Sequence, residues 1–360
     1  MPEYLFASAS SGAVTAAIWV TIASLGASLL LLAYTLELRL HRRLRERRRA
    51  RVVAHWRERI AAAVTGADAR LESVERRPAL PRRERREFLR LWNYTRNMIE
   101  GEAAERLIAL AHRLDLPAFV REQAGHAQLG TRLMAIQALG HLRDAGSFER
   151  ILADTDDENP LVSITAAEAL VEIDPARAVN ALMPKIVARR DWPRTHVFRM
   201  LQKAGSAVVG EPLYRCIRTA ADGDAAYMLT FVELAEFDVR DAIAAELLRS
   251  RTEPELVSAA LKAASGYGSV PGLDDLVSHP AWYVRMQVAR LIGRMGRAED
   301  ADRLETLLAD PEWWVRYRAA RALVRLPALD RAEVLRIRER QQDPYARDIL
   351  DHVIAESGSS

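Results

Sequence analysis

Apolar and polar positions divide the chain into three patterns. From Ala13 to Leu36 no charged residue interrupts a run that holds Ile18, Trp19, Val20, Ile22 and Leu29 to Leu32. At about 1.5 Å of helical rise per residue this run reaches roughly 36 Å, which spans a hydrocarbon core of about 30 Å and predicts one transmembrane helix. Leu40, Leu44, Val52, Trp56, Ile60 and Val64 then recur at multiples of four, so the helix continues as an amphipathic stalk and breaks near Gly66. In the third pattern, helical stripes return at a fixed interval. His279, Pro280, Ala281, Trp282, Tyr283, Val284 and Arg285 are followed 31 positions later by Asp310, Pro311, Glu312, Trp313, Trp314, Val315 and Arg316. Ala289, Arg290 and Ile292 meet Ala320, Arg321 and Leu323 at the same interval, and Tyr345, Ala346 and Arg347 carry it to a last copy. A fixed period of this length predicts stacked helix pairs, since neither helix of a pair buries its stripe alone.

Backwards from Val284 the register slips, because Leu256 lies 28 residues away and Pro254 lies 30 away. It returns at Thr131 with Arg132, Leu161 with Val162, Trp192 with Pro193 and Arg194, and Asp224 near Tyr227. About eight second helices are therefore expected from residue 130 onward. Alternating β-branched runs are missing, so the chain is read as all-α. The expected layout is a short extracytoplasmic N-terminus (1–12), the transmembrane helix (13–36), a basic juxtamembrane helix (37–65), a linker (66–82) punctuated by Pro78 and Pro81, cap helices (83–125), the repeats (126–356) and a short tail (357–360).

The repeat resembles the HEAT repeat in its short bacterial form, which is similar to the repeats of phycobilisome-lyase-like proteins. The resemblance rests on Asp310 at the turn, Val315 and Arg316, the small pair Ala319 and Ala320, and Leu323. It implies a right-handed α-solenoid whose second helices line the concave face, and a ladder of Asp and Arg between repeats that His279 interrupts. It also implies a protein-binding scaffold. An enzyme of the bilin-lyase kind and a nucleic-acid-binding repeat protein are the alternative functions.

Charge places the chain relative to a membrane. Arg39, Arg42, Arg43, Arg45, Arg47, Arg48, Arg49 and Arg51 follow the apolar run, and only Glu3 precedes it. A cleaved signal peptide has the reverse polarity, and positive flanks stay in the cytoplasm, so the N-terminus is expected outside and the repeats inside. The same eight Arg are candidates for anionic lipid headgroups. Residues 37–100 carry 19 Arg against nine acidic residues, in a chain whose net charge is only +3. The anchor accounts for that cluster, which leaves nucleic acid a weaker reading. Gly12 with Ala16, Ala23 with Ala27, and Ser24 with Ser28 allow close approach of another helix. Basic residues are almost all Arg, the composition of a bacterial chain of high GC content.

No catalytic constellation stands out, and no cofactor is implied. Cys216 sits among apolar residues and is read as a small core residue. Gly266, Gly268 and Gly272 join two helices rather than leaving a strand, so no phosphate loop is present. Asp154, Asp156, Asp157 and Glu158 lack the later Gly and Glu of a calcium loop, the twelfth position being Thr165. The eight His residues are scattered without zinc spacing.

Two surfaces remain as candidates for a protein partner in or at the membrane. One is an aromatic edge on the turns: Trp192, Trp282, Tyr283, Trp313, Trp314 and Tyr345. The other is the concave face. Six and ten residues beyond the stripe anchors Val284 and Val315 lie Arg290, Arg294, Arg321 and Arg325, with Arg199 and Lys203 at the same places after Pro193, and Glu168 and Glu172 after Val162. That face is expected to change sign along its length and to turn basic towards the C-terminus. Arg forks carboxylates bidentately, so an acidic segment is the expected ligand.

Overall fold

The computed structural model describes residues 3–66 and 80–358; within the first helix, side chains are described from Ala16 onward except those of Arg42, Leu44, Arg45, Arg48 and Arg49. The described residues form α-helices joined by turns, with no strand among them. The chain divides into two compact units, Met1–Gly125 and His126–Ser360.

The first unit contains α1 (Glu3–Thr65), α2 (Arg85–Arg96), α3 (Gly101–Arg113) and α4 (Leu116–Gln123). Span and stalk are one uninterrupted helix of 63 residues. Its stretch Ala16–His41 is long and apolar enough to cross a membrane and is exposed throughout. Beyond it the stripe becomes core: Trp56, Ile60 and Ala63 are buried, and the helix packs on α2 and α3. Trp56 donates its Nε1–H to Glu84 at 3.1 Å and sets its edge on Phe88, centroids 4.9 Å apart. Arg106 donates to the Val64 carbonyl at 3.1 Å, closing the C-terminal turn of α1. Gly66 ends the helix at φ +71°, a conformation that costs a residue with a Cβ and not a glycine. Most of the expected linker 66–82, including Pro78, lies outside the described residues; at its end Leu80 is already buried.

The second unit opens with α5 (Leu129–His141), and seven helix pairs follow. They are α6 (Phe148–Asp154) with α7 (Pro160–Ile173), α8 (Pro175–Ala188) with α9 (Arg194–Ala204), and α10 (Ser206–Thr219) with α11 (Asp222–Met228), which 3-10 turns continue to Leu234. Next come α12 (Phe237–Ser250) with α13 (Pro254–Ala263), α14 (Leu273–Val277) with α15 (Trp282–Met295), α16 (Ala301–Leu308) with α17 (Trp313–Val324), and α18 (Arg331–Arg340) with α19 (Pro344–Gly358). The odd-numbered helices from α5 to α19 are the second helices, and each packs against the next along the row, except that α9 packs on the 3-10 turns after α11 and not on α11 itself. This is an α-solenoid. Its core is the stripe read from the sequence: Val284, Val288, Ala289 and Ile292 interlock with Val315, Ala319, Ala320 and Leu323, and these with Ala346, Ile349 and Leu350.

Two glycines set the closeness of this row. A Cβ on Gly140 in α5 would lie 2.7 Å from Ala169 Cα in α7, and one on Gly293 in α15 would lie 2.9 Å from Ala322 Cβ in α17. The register slip is equally local. Helix α9 starts at Arg194, 34 residues after Pro160, whereas Trp282 follows Pro254 by 28. Arg189 holds the longer turn together: its guanidinium donates to the Thr155 and Asp157 carbonyls at 3.0 Å and to Ser163 Oγ at 2.6 Å, and it pairs with Asp191.

Candidate interaction surface

Paired charges stitch successive second helices together. Buried His141 in α5 lies 2.7 Å from Glu172 Oε2 through its Nδ1; the carboxylate only accepts, so Nδ1 carries the proton. Lys203 of α9 binds the other oxygen of Glu172. Burial by itself raises the Glu172 carboxyl, but the bonds from His141 and Lys203 outweigh it and hold the group at about 2. Glu168 is likewise met by His196 at 3.1 Å, with Arg199 against the same imidazole. The expected change of sign along the row is thus compensated here: Lys203 is committed to Glu172, and Arg199, though exposed, stands in a neutralised patch.

At the equivalent positions of the C-terminal second helices this compensation stops. Arg290 and Arg325 are exposed and meet no carboxylate among the described residues, and Arg321 stands 5.7 Å over the Tyr317 ring. Arg294 departs from expectation. Although the residue is exposed, its guanidinium is committed: it donates to the Leu261 carbonyl at 3.0 Å, capping α13. Burial, with Arg290 and Arg240 close by, pushes it below its ordinary value. It lies on the exposed face with Arg290 and Arg325 but differs from them in capping a neighbouring helix.

The aromatic row divides in the same way. Trp192 is only 2% exposed and donates to Ser163 Oγ at 2.9 Å, so it belongs to the core and not to an edge. The longer turn before α9 folds it inward. Tyr283 is half-buried and donates its hydroxyl to Glu255 at 2.8 Å. Trp282, Trp313, Trp314 and Tyr345 remain exposed, at 37%, 44%, 51% and 66%. Trp313 stacks on Tyr317 with centroids 5.1 Å apart, and Trp314 stands perpendicular to it at 4.7 Å. Of the proposed lipid-binding residues, Arg39, Arg43, Arg47 and Arg51 are exposed along α1; the side chains of Arg42, Arg45, Arg48 and Arg49 are outside those described.

A ladder between repeats is present, and its rungs are more specific than the sequence pattern indicated. Arg132, Arg285, Arg316 and Arg347 each occupy the fourth position of a second helix. Arg285 donates Nη1–H to the His279 and Pro280 carbonyls of its own turn, and its Nε and Nη2 fork the Asp310 carboxylate of the next repeat at 2.6 and 2.8 Å. Arg132 meets Asp157 at 2.7 Å and Asp154 at 2.6 Å. Asp157 and Asp310 each stand 25 residues beyond their Arg, and each also accepts the N–H two residues ahead. Helix α13 has Val257 in place of the Arg, and there His279 keeps only the second task, accepting from the Ala281 N–H at 3.1 Å. Arg316 keeps the clasp on its own turn, at 2.7 and 2.9 Å from the Asp310 and Pro311 carbonyls. The residue 25 positions on is Gln341, and the enclosed Nε of Arg316 meets no acceptor among the described residues. The interval of 25 was readable from Arg132, Asp157, Arg285 and Asp310; it lies inside the period of 31 and is masked by it.

The family model for HEAT repeats matches residues 117–202, 232–324 and 270–353, more than half of the chain. The chain belongs to the HEAT-repeat family. No curated protein matches it. Among solved structures, a crystal structure of an engineered protein from the Northeast Structural Genomics Consortium is 16% identical, over 77% of this chain and 86% of that one, with a TM-score of 0.36. A cavity of about 490 Å³ lies between α8 and α10 of the HEAT array, lined by Met183, Pro184, Pro212, Arg215 and Cys216 among others. Cys216 is therefore half-exposed instead of wholly core, and burial, with Asp224 near, pushes its thiol up, away from the nucleophilic thiolate. Among the described residues no group of His, Cys, Asp and Glu is placed to hold a metal ion.

Proposed function

We propose that this chain is a single-pass protein of a bacterial inner membrane whose HEAT array is a cytoplasmic scaffold for protein partners in or at that membrane, with no catalysis of its own. In this reading α1 crosses with Glu3 outside, and the Arg residues from Arg39 to Arg51 rest on anionic headgroups, each worth about 1 kcal/mol near the surface. Anchoring confines the array to the membrane and raises its effective concentration towards partners there.

The observation that carries the reading is the uncompensated basic face. In an array where Arg132, Lys185, Lys203, Arg285 and Arg303 are all paired with carboxylates, Arg290 and Arg325 are left to solvent beside Arg321. Trp313, Trp314 and Tyr345 belong to the same C-terminal repeats. Large exposed aromatics together with Arg are the composition of binding hot spots. Reversing Arg290, Arg321 and Arg325 to Glu is expected to abolish recovery of the crosslinked partner from intact membranes, with helicity and membrane insertion unchanged. Undiminished recovery in a folded, inserted variant would remove the basic face from the reading. Arg294 is excluded from the set because its loss uncaps α13.

A further inference from the structure

We propose that the side-chain fork of Arg316, with the cavity beside it, is a slot for one acidic side chain of a partner protein, seated where an Asp sits in other repeats. The Arg285 rung defines the geometry. Arg285 places one arm on its own turn and offers Nε and Nη2 to a carboxylate from the next repeat. Arg316 is held by its turn in the same way. Its Nε is enclosed with no acceptor among the described residues, because the chain supplies Gln341 at the interval where Asp157 and Asp310 occur. Asp343, two residues later, accepts the Tyr345 N–H at 3.0 Å as Asp157 and Asp310 accept theirs, but it stands 27 and not 25 residues beyond the Arg, and among the described residues it makes no bond to Arg316. A buried guanidinium N–H without a partner is costly, and a bidentate carboxylate is the group its geometry fits.

A cavity of about 280 Å³ opens beside this fork, lined by Trp313, Arg316, Tyr345, Asp348, Ile349 and His352. That volume is below the range of drug-sized ligand sites and suits a side chain. Trp313 and Tyr345 stand exposed at its mouth and Ile349 is buried within the wall, so the stem of an Asp or Glu has apolar contact on its way to Arg316. Asp348 lines the same space and opposes further negative charge. The slot therefore takes a single carboxylate and disfavours a phosphate dianion or a run of acids. The inference rests on the proposed scaffold function, and names one anchoring contact within it.

The test uses the full chain in detergent micelles, labelled with ¹⁵N at Trp, with the Trp313 indole resonance identified through Trp313→Phe. The probe is acetyl-Asp-Pro-Glu-amide, which copies the turn that carries Asp310, set against acetyl-Asn-Pro-Gln-amide. A saturable shift of the Trp313 resonance at millimolar acidic peptide is expected, with at least tenfold weaker response to the amide peptide. Gln341→Asp should close the rung from within, abolish the response and slow amide exchange in α18 and α19. Arg316→Lys, which keeps the charge and loses the fork, should weaken binding at least tenfold. No shift with the acidic peptide, equal shifts with both, or a response unchanged in Gln341→Asp would each overturn the slot. Failure of the scaffold reading shows separately, since the membrane crosslink is recovered through the Arg290, Arg321 and Arg325 face whether or not the slot exists.

Discussion

Glu172 concentrates the electrostatics of the N-terminal half of the array. Its folded carboxyl titrates at about 2 against an ordinary 4.5, so the stabilisation it gives, on the order of 3 kcal/mol, is complete above pH 4.5 and disappears as the pH falls through about 2. Amide exchange in α5, α7 and α9 of the full chain should accelerate across that window, and Glu172→Gln should flatten the dependence there while leaving α15 to α19 unaffected. An identical acid profile in the variant would mean that the His141 and Lys203 bonds contribute nothing to the fold. The same column explains which site residues the sequence could disclose. Periodicity correctly placed Arg290 and Arg325 outside the packed stripe, since exposure follows from helical phase. It could not separate Arg294 from them, because a long guanidinium one turn further on chooses between solvent and a neighbouring helix end, and only the position of the Leu261 carbonyl decides. Trp192 failed for a related reason: its place before the stripe matched that of Trp314, but three extra residues in its turn carry the ring inward.

At the scale of an element, the second helices approach one another until backbone meets side chain. Glycine inside a helix ordinarily costs about 1 kcal/mol relative to alanine, and removing it ordinarily helps. At Gly140 the sign should reverse. A methyl group 2.7 Å from Ala169 Cα has backbone in its way, and overpacking of this kind costs about 1–3 kcal/mol. Gly140→Ala is expected to lower the protection of α5 and α7 in hydrogen exchange, and Gly130→Ala, with open space around its Cβ, is not. Equal behaviour of the two variants would refute the close contact. The helix pairs themselves were legible, because apolar phase and a period of 31 survive in α15, α17 and α19 with little variation. The slip between them was not resolved by pattern alone. A gain of residues before α9 and a loss before α15 change where turns fall without changing which faces are apolar, and turn lengths are set by contacts such as those of Arg189.

At the scale of the whole chain, the proposed topology is tested with a reporter fused after Ser360, which should be active only in the cytoplasm because eight Arg follow the span and Glu3 alone precedes it. Periplasmic activity, or a mature chain beginning within the span, would invert or remove the anchor. Span and stalk form a single helix with no break before Gly66, and that continuity makes it a lever. Beyond His41 the helix extends roughly 36 Å to Thr65, so a tilt of about 20° at the bilayer swings its far end by about 12 Å. Trp56, Ile60 and Ala63 are locked into the core of the first unit, and no glycine or proline lies between them and the span to absorb the swing. Under the proposed topology, a change in bilayer thickness that re-tilts the span would displace the cap helices, so that the same helix would carry a mechanical signal as well as fix a location.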